Sequence, residues 1–349
     1  MTQNELGRFT RKEILSQPEV WNTTLNNWSD VNIQSFPSVE DYQQALFIGC
    51  GSTYFLSRWA ARLNESYTGV ISRAAPSSEF LLHPDSWLKK DRPTLLVATS
   101  RSAATTETVK AIEVFKENYQ GDVITITCNP EEKMGSQSPF LLAAPYAMEK
   151  SIAQTRSFSS MMLAHAFLIE RGLPKNISEH MQKKAAALLD QYSEKISKIG
   201  NDASIQGFFF LGSGALYGLA NECMLKMKEI SLSYSESFHT MEFRHGPMSM
   251  VNHHTLVVGL LGDSNQDQEL AVLKEMKAMG AHTIAIMESA PDNIEGIDDL
   301  IILDSELPLL WRSALYLPTM QWLAYKRGIL NGMDPDNPNN LNAVVILDN

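Results

Sequence analysis

"ALFIGCGSTYFLSRWAARL", residues Ala45–Leu63, decides the fold. Its apolar opening reads as a strand, runs into Gly49, Gly51 and Ser52, and continues into an aromatic- and alanine-rich helix. The pattern returns at Gly207–Ser231, "GFFFLGSGALYGLANECMLKMKEIS". Around the first copy, "GVISRAAPSSEFLL" reads as strand, loop and short helix. "TLLVATSRSAATTETVKAIEVFKENY" reads as strand, loop and helix, and "GDVITITCN" as the next strand. Around the second, "TLVVGLLGDSNQDQELAVLKEMKAMGAHTIAIME" repeats the same succession. Strands alternating with helices imply βαβ units and a mostly parallel sheet. The chain therefore reads as a duplicated α/β protein, with halves near 45–150 and 205–310, each a three-layer α/β/α sandwich. The expected organisation is a helical segment 1–44, a first domain 45–195, a second domain 196–330 and a tail 331–349. The tail has too many helix breakers for a long helix, although "AVVIL" within it can pair or pack.

Bulk properties narrow the function. A chain of 349 residues with 44% hydrophobic and 20% charged residues fits a soluble globular protein of two ordinary domains. No stretch approaches the roughly 20 apolar residues of a membrane span, and "MTQNELGRFTRKEIL" lacks the apolar core of an export signal. Cys50, Cys128 and Cys223 follow no metal spacing, so free thiols in a reducing cytoplasm are expected. A net charge of −11 argues against nucleic-acid binding. It leaves room for a small anionic substrate in a locally favourable pocket.

The strand Thr94–Thr99 runs into "SRSAATTET", Ser100–Thr108, where hydroxyls and a cation crowd together. Ligands of parallel α/β sheets sit at the C-terminal strand ends, where following helices offer unpaired N–H groups. Ser100, Ser102, Thr105 and Thr106 lie at one such end, with Arg101 among them, and Ser52 and Thr53 lie at another. Two readings stand: a phosphate cradle, or residues that merely cap helices and shape turns. "GCGSTYF" and "GSGALYG" lack the third glycine of a dinucleotide fingerprint at its spacing. The counterpart loop in the second half, "GDSNQDQE", is acidic, so a single phosphate site in the first half is expected.

In the second half, Glu222, Lys226 and Glu229 fall on one helical face, while Leu219, Cys223, Met227 and Ile230 form much of another. A solvated salt-bridge stripe is the plain alternative. "ESFHTMEFRHGPMSM" then gathers Glu236, His239, Glu242, Arg244 and His245 just before Gly246-Pro247, which places His245 on an accessible turn. His253 and His254 have no convincing metal-binding partners and read as loop. An anchored phosphate, a helix-borne carboxylate and a loop histidine suit proton transfer on a sugar phosphate.

At this point the chain resembles the double sugar-isomerase (SIS) domain family, which includes the isomerase half of glucosamine-6-phosphate synthase and SIS-type deaminases. The resemblance runs through "TRKEILSQPEVW", "FIGCGSTY", "SRSAATTETVKA", "EKSIAQTRSF", "LKMKEISLSYSESF", "EFRHGP" and "DPDNPNNL". It implies two tandem SIS domains and no cofactor or metal. It implies that Ser52, Thr53, Ser100, Arg101, Ser102 and Thr105 grip the sugar phosphate. Glu229 then matches the proton-shuttling base, Lys226 its neighbour, Glu222 a further acidic position, and His245 the ring-opening histidine offered by a partner subunit of a homodimer. Four departures stand out. Arg101 replaces the synthase's glutamine, and Ala103 the usual loop glycine. No glutaminase portion with its nucleophilic cysteine is read, and the synthase's C-terminal lysine position falls at Ala343, beside Asn342, so an imine through that residue is not expected; Lys326 belongs to another motif. The expected activity is conversion of glucosamine 6-phosphate to fructose 6-phosphate and ammonia. Aldose–ketose isomerisation, deglycation of a phosphorylated Amadori compound and non-catalytic sugar-phosphate sensing are the alternatives.

Overall fold

The computed structural model describes residues 6–291, 294–342 and 344. Among the described residues, ten strands form two sheets. The first holds β1 (Gln44–Gly49), β2 (Ser72–Pro76), β3 (Thr94–Ser100), β4 (Gly121–Thr127) and β5 (Phe140–Ala143), in the order β2-β1-β3-β4-β5. The second holds β6 (Gly207–Gly212), β7 (Tyr234–Phe238), β8 (Thr255–Leu260), β9 (His282–Met287) and β10 (Asp299–Ile302), in the order β10-β9-β8-β6-β7. Every pairing is parallel. The expected duplicated α/β architecture is therefore present, and fully rather than mostly parallel among the described residues. β1, β3 and β8 are buried along their whole length, as strands covered by helices on both faces must be.

The sequence reading anticipates seven of these strands and misses β5, β7 and β10. All three are edge strands of four or five residues.

Each sheet belongs to its own compact unit. The first-sheet unit comprises Glu19–Glu149 and Arg156–His180; the second comprises residues up to Pro18, Lys150–Thr155 and Met181–Leu341. The units thus interleave along the chain, where sequence alone suggests contiguous segments. Side-chain bonds within the second unit account for this. Glu13, in the helix Arg8–Leu15, accepts the Lys150 and Ser151 N–H groups at 2.6 and 3.3 Å and the Ser151 hydroxyl. Asp336 closes the start of the same helix, accepting the Phe9 and Thr10 N–H groups at 3.0 and 2.7 Å. A carboxylate at a helix N-terminus satisfies orphan donors and meets the positive dipole end. The "DPDNPNN" stretch therefore serves as a cap, and of "AVVIL" only Val344 lies within the described residues.

In the first unit, Leu46, Ile48, Leu96 and Ala98 share an apolar cluster with Phe80, Ile112 and Phe115. In the second, Phe209, Leu211 and Val257 do so with Phe243, Leu270, Leu273 and Met276.

Candidate active site

In the first sheet the strand order reverses between β1 and β3, the switch point at which such sheets bind ligands. The loops beyond β1 and β3 carry the hydroxyl clusters. Beyond β1, Gly51 takes φ 55 and ψ −122, a conformation open to glycine, and delivers Ser52 to the start of the helix Ser52–Thr68. Thr53 is absorbed by the turn: its hydroxyl accepts the Cys50 N–H and donates to the Cys50 carbonyl, both at 2.9 Å.

Beyond β3 the hydroxyls converge. Thr105 Oγ1 lies 3.3 Å from Ser100 Oγ and 3.4 Å from Ser102 Oγ. Thr105 stands at the N-cap of the helix Thr106–Asn118, yet its side chain makes no cap bond. The three hydroxyls therefore face one another at a helix start, the geometry that suits a multi-oxygen anion. Ala103 takes a left-handed backbone, with φ 55, although it has a Cβ. Arg101 is drawn sideways. Its guanidinium lies 3.4 Å from Glu149, and both side chains are buried. Glu149 also accepts the Ser157 hydroxyl. The Arg101 charge is thereby balanced from within the protein. Below the loops, Thr108 Oγ1 lies 3.0 Å from Ser77 Oγ and 3.6 Å from Cys50 Sγ. Burial pushes the Cys50 thiol up, so it stays protonated and this layer is uncharged.

In the second unit, the helix Leu216–Ser231 follows β6 and buries Leu219, Cys223, Met227 and Ile230. The charged face is buried as well. Glu222 is 0% exposed, Lys226 1% and Glu229 20%. Lys226 Nζ lies 3.4 Å from Glu222 and is hydrogen-bonded to Glu229. This is no solvated stripe: an ammonium out of water needs paired acids to hold its charge. Glu229 alone of the three opens to the surface.

His245 follows β7, as the C-cap of the short 3-10 turn Glu242–Arg244. Gly246 takes φ 117 and Pro247 follows, so the chain reverses immediately after the imidazole. His245 is exposed, as its place on a turn suggests. Its neighbours in the charged run find other partners. Glu236 meets Lys228 at 3.1 Å, His239 lies against Tyr217 with ring centroids 3.8 Å apart, and Arg244 meets Glu275. His254 turns its Nδ1 to the Ser204 carbonyl at 2.8 Å, and no metal-holding cluster of His, Cys, Asp or Glu occurs among the described residues.

The crest of the second sheet is filled by its own charges. Arg312 pairs with Asp263 and lies 3.8 Å from Glu288. Glu269 is buried, with Ser213, Thr240 and the Gly262 N–H turned toward its carboxyl. Burial raises its pKa, and those hydrogen bonds pull the other way. The acidic loop "GDSNQDQE" signals part of this. Arg312, Glu288 and Glu149 escape notice because their partners are distant in sequence; "EKSIAQTRSF" marks Glu149 only as a resemblance. Ala343 lies outside the described residues. Lys326 sits over the Trp322 ring at 4.7 Å, and burial followed by the nearby Arg11 charge lowers its pKa.

Comparison with known proteins follows the same outline. The model of the SIS domain matches residues 39–171 and 206–305, which span the two sheets. The chain is 26% identical over 97% of its length to glutamine–fructose-6-phosphate aminotransferase (isomerizing) of Methanothermobacter thermautotrophicus, and spans 58% of that protein. It is similar to a crystal structure of glucosamine-6-phosphate deaminase from Thermotoga maritima, with 28% identity and a TM-score of 0.81 over 97% of this chain and 99% of that one. A tagatose-6-phosphate ketose/aldose isomerase structure from Escherichia coli shares the fold, with a TM-score of 0.86, 23% identity and 96% coverage of both chains. No helix among the described residues is long and apolar enough to cross a membrane.

Proposed function

The chain belongs to the SIS domain family, and from that premise we propose that it deaminates and isomerises an amino-sugar phosphate, converting glucosamine 6-phosphate to fructose 6-phosphate and ammonia. The observation that carries this reading is the buried Lys226 held between Glu222 and Glu229, with only Glu229 open to the surface. The likeness to the Thermotoga maritima deaminase over nearly both whole chains supports the substrate class.

The phosphate is held by the hydroxyls of Ser52, Ser100, Ser102 and Thr105, with N–H groups at the helix starts. Arg101, tied to Glu149, adds shape and a balanced charge rather than a free cation. Thr53 contributes by building the turn. His245 moves the ring-oxygen proton and opens the sugar. Glu229 takes the proton from C2 and returns it to C1, across an enolamine whose developing oxyanion Lys226 steadies. The resulting C2 imine adds water and releases ammonia. Glu222, 3.4 Å from the Lys226 ammonium, offsets part of its positive charge.

The functional unit is proposed to be a homodimer in which the exposed His245 serves the neighbouring subunit. Met241 and Met250, 41% and 56% exposed in the same segment, suit a surface that a second copy covers. Mixing inactive Glu229→Gln and His245→Asn proteins then restores turnover, because one subunit supplies what the other lacks; no restoration speaks against sharing.

Ammonia release from glucosamine 6-phosphate by the purified protein is the direct test. Glu229→Gln is expected to lower turnover by about 10²–10⁴-fold, the range for a positioned proton-transfer group. Full turnover in that variant removes Glu229 as the base. Aldose–ketose exchange without ammonia gives the isomerase reading instead.

A further inference from the structure

The segment that carries His245 is fastened to one helix, Gln266–Ala278, at three successive points. Thr240, at its start, turns its hydroxyl to the buried Glu269. Phe243 is fully buried in the apolar cluster that holds Leu270, Leu273 and Met276. Arg244 makes a two-point ion pair with Glu275, Nε to Oε2 at 2.7 Å and Nη2 to Oε1 at 2.6 Å. Beyond His245, Gly246 and Ser249 are exposed and Met250 is 56% exposed, while Met248 packs against the same apolar cluster and Val251 lies within it. The last fixed point before the imidazole is therefore the Arg244–Glu275 pair.

An ion pair with side chains 24% and 47% exposed contributes little to global stability. A bidentate fork does, however, fix direction, which a single contact does not. Arg244 is adjacent to His245, and the His245 N–H closes the turn on the Glu242 carbonyl at 2.9 Å. Rotation of the turn is thus opposed through the residue next to the imidazole.

Resting on the reading of His245 as the ring-opening group, we propose that Arg244 and Glu275 are a positioning pair that aims the His245 imidazole by clamping its turn to the helix Gln266–Ala278. Neither touches substrate. Their effect passes through His245, and misplacement of a reacting group by about 1 Å suffices to slow a reaction about 10²-fold.

Two readouts test this. Amide hydrogen exchange at Phe243–Gly246 in Glu275→Ala should rise about tenfold or more while the melting temperature stays near that of the parent. Unchanged exchange there overturns the clamp, whatever the activity. In turnover of glucosamine 6-phosphate, Glu275→Ala should lower kcat about tenfold with KM unchanged, and the charge-swapped pair Arg244→Glu with Glu275→Arg should recover most of it. In a His245→Asn background, Glu275→Ala should have no further effect; an equal loss in both backgrounds overturns the proposal, because the pair would then act through another group. If His245→Asn alone retains full turnover, the ring-opening reading fails, while the exchange result still judges the clamp. Glu275→Gln, which keeps the size of the side chain, guards against a folding artefact.

Discussion

The two sheet crests are built on one plan and filled in opposite ways. In the first, Cys50 after β1, Ser77 after β2 and Thr108 in the helix after β3 form an uncharged layer beneath the hydroxyls of Ser100, Ser102 and Thr105. In the second, Ser213 after β6 and Thr240 after β7 face a carboxylate, Glu269, in the helix after β8. Asp263 and Glu288 add two more acids around Arg312. An anion arriving at the first crest meets donors; at the second it meets negative charge already holding the local donors. Duplication of the fold therefore does not duplicate the chemistry at the two crests, and the proposed phosphate cradle is assigned to the first by a few side chains, not by topology.

The sharpest way to break that contrast is to give the first crest the charge of the second. Ser100→Asp places a carboxylate among the converging hydroxyls. Affinity for a sugar phosphate should fall at least about 100-fold, roughly 2.7 kcal/mol, read by calorimetry. A change of less than about threefold would mean that the cradle lies elsewhere.

A second contrast concerns titration. His165 lies in the first-sheet unit and Gln321 in the second, both fully or almost fully buried. Burial holds the His165 imidazole down to about 3 from 6.5, with Nε2 2.9 Å from Thr99 Oγ1. Gln321, bonded to Gln17 at 2.9 Å, does not titrate. The neutral imidazole prefers the native state above pH 6.5. As pH falls below that, the unfolded chain gains a proton that the native chain refuses until near 3. The resulting loss is about 2 kcal/mol at pH 5. His165→Gln, which cannot titrate, should remove that share of the acid sensitivity in urea unfolding followed at several pH values. An unaltered pH dependence would show that His165 is protonated in the native state.

Glu269→Gln tests the other crest. A carboxyl whose native pKa is raised favours the native state below its ordinary pKa, and that contribution is lost as pH rises through the raised value. At neutral pH the ionised form is therefore a cost, and the amide should raise the melting temperature by a few degrees, with the gain fading in acid. A drop at neutral pH would mean that the bonds from Ser213, Thr240 and Gly262 outweigh desolvation. The smallest effect is expected at Ala103→Gly. Relief of a left-handed alanine offers about 1–2 kcal/mol, but glycine loses more freedom on folding, about 0.4–1 kcal/mol. It also gives up a buried methyl, about 0.8 kcal/mol. Denaturant midpoints should differ by less than about 1 kcal/mol, and a larger shift would show that the loop conformation is not the native φ of 55.

These contrasts also mark what is legible in the amino-acid order. The long buried strands and the Gly-x-Gly turns at Gly49–Gly51 and Gly212–Gly214 announce themselves by local pattern, so the duplication and the parallel sheets can be read directly. The hydroxyl run at Ser100–Thr105 and the spacing of Glu222, Lys226 and Glu229 are also local, and so are visible. Partnership is not local. That Arg101 turns to Glu149, that Thr53 folds back on Cys50, and that Arg312 reaches Asp263 are decided by segments distant in sequence or by loop geometry. Interleaving of the units is hidden for the same reason: it rests on Glu13 and Asp336, two carboxylates whose donors lie far along the chain or at a helix end that composition does not reveal.

The most direct measurement is the stoichiometry of glucosamine 6-phosphate binding by titration calorimetry, on the parent chain, Ser100→Asp and Glu269→Gln. One equivalent per chain, lost in Ser100→Asp and kept in Glu269→Gln, is the result expected of a single hydroxyl-lined crest. Two equivalents per chain, or undiminished binding in Ser100→Asp, would contradict it.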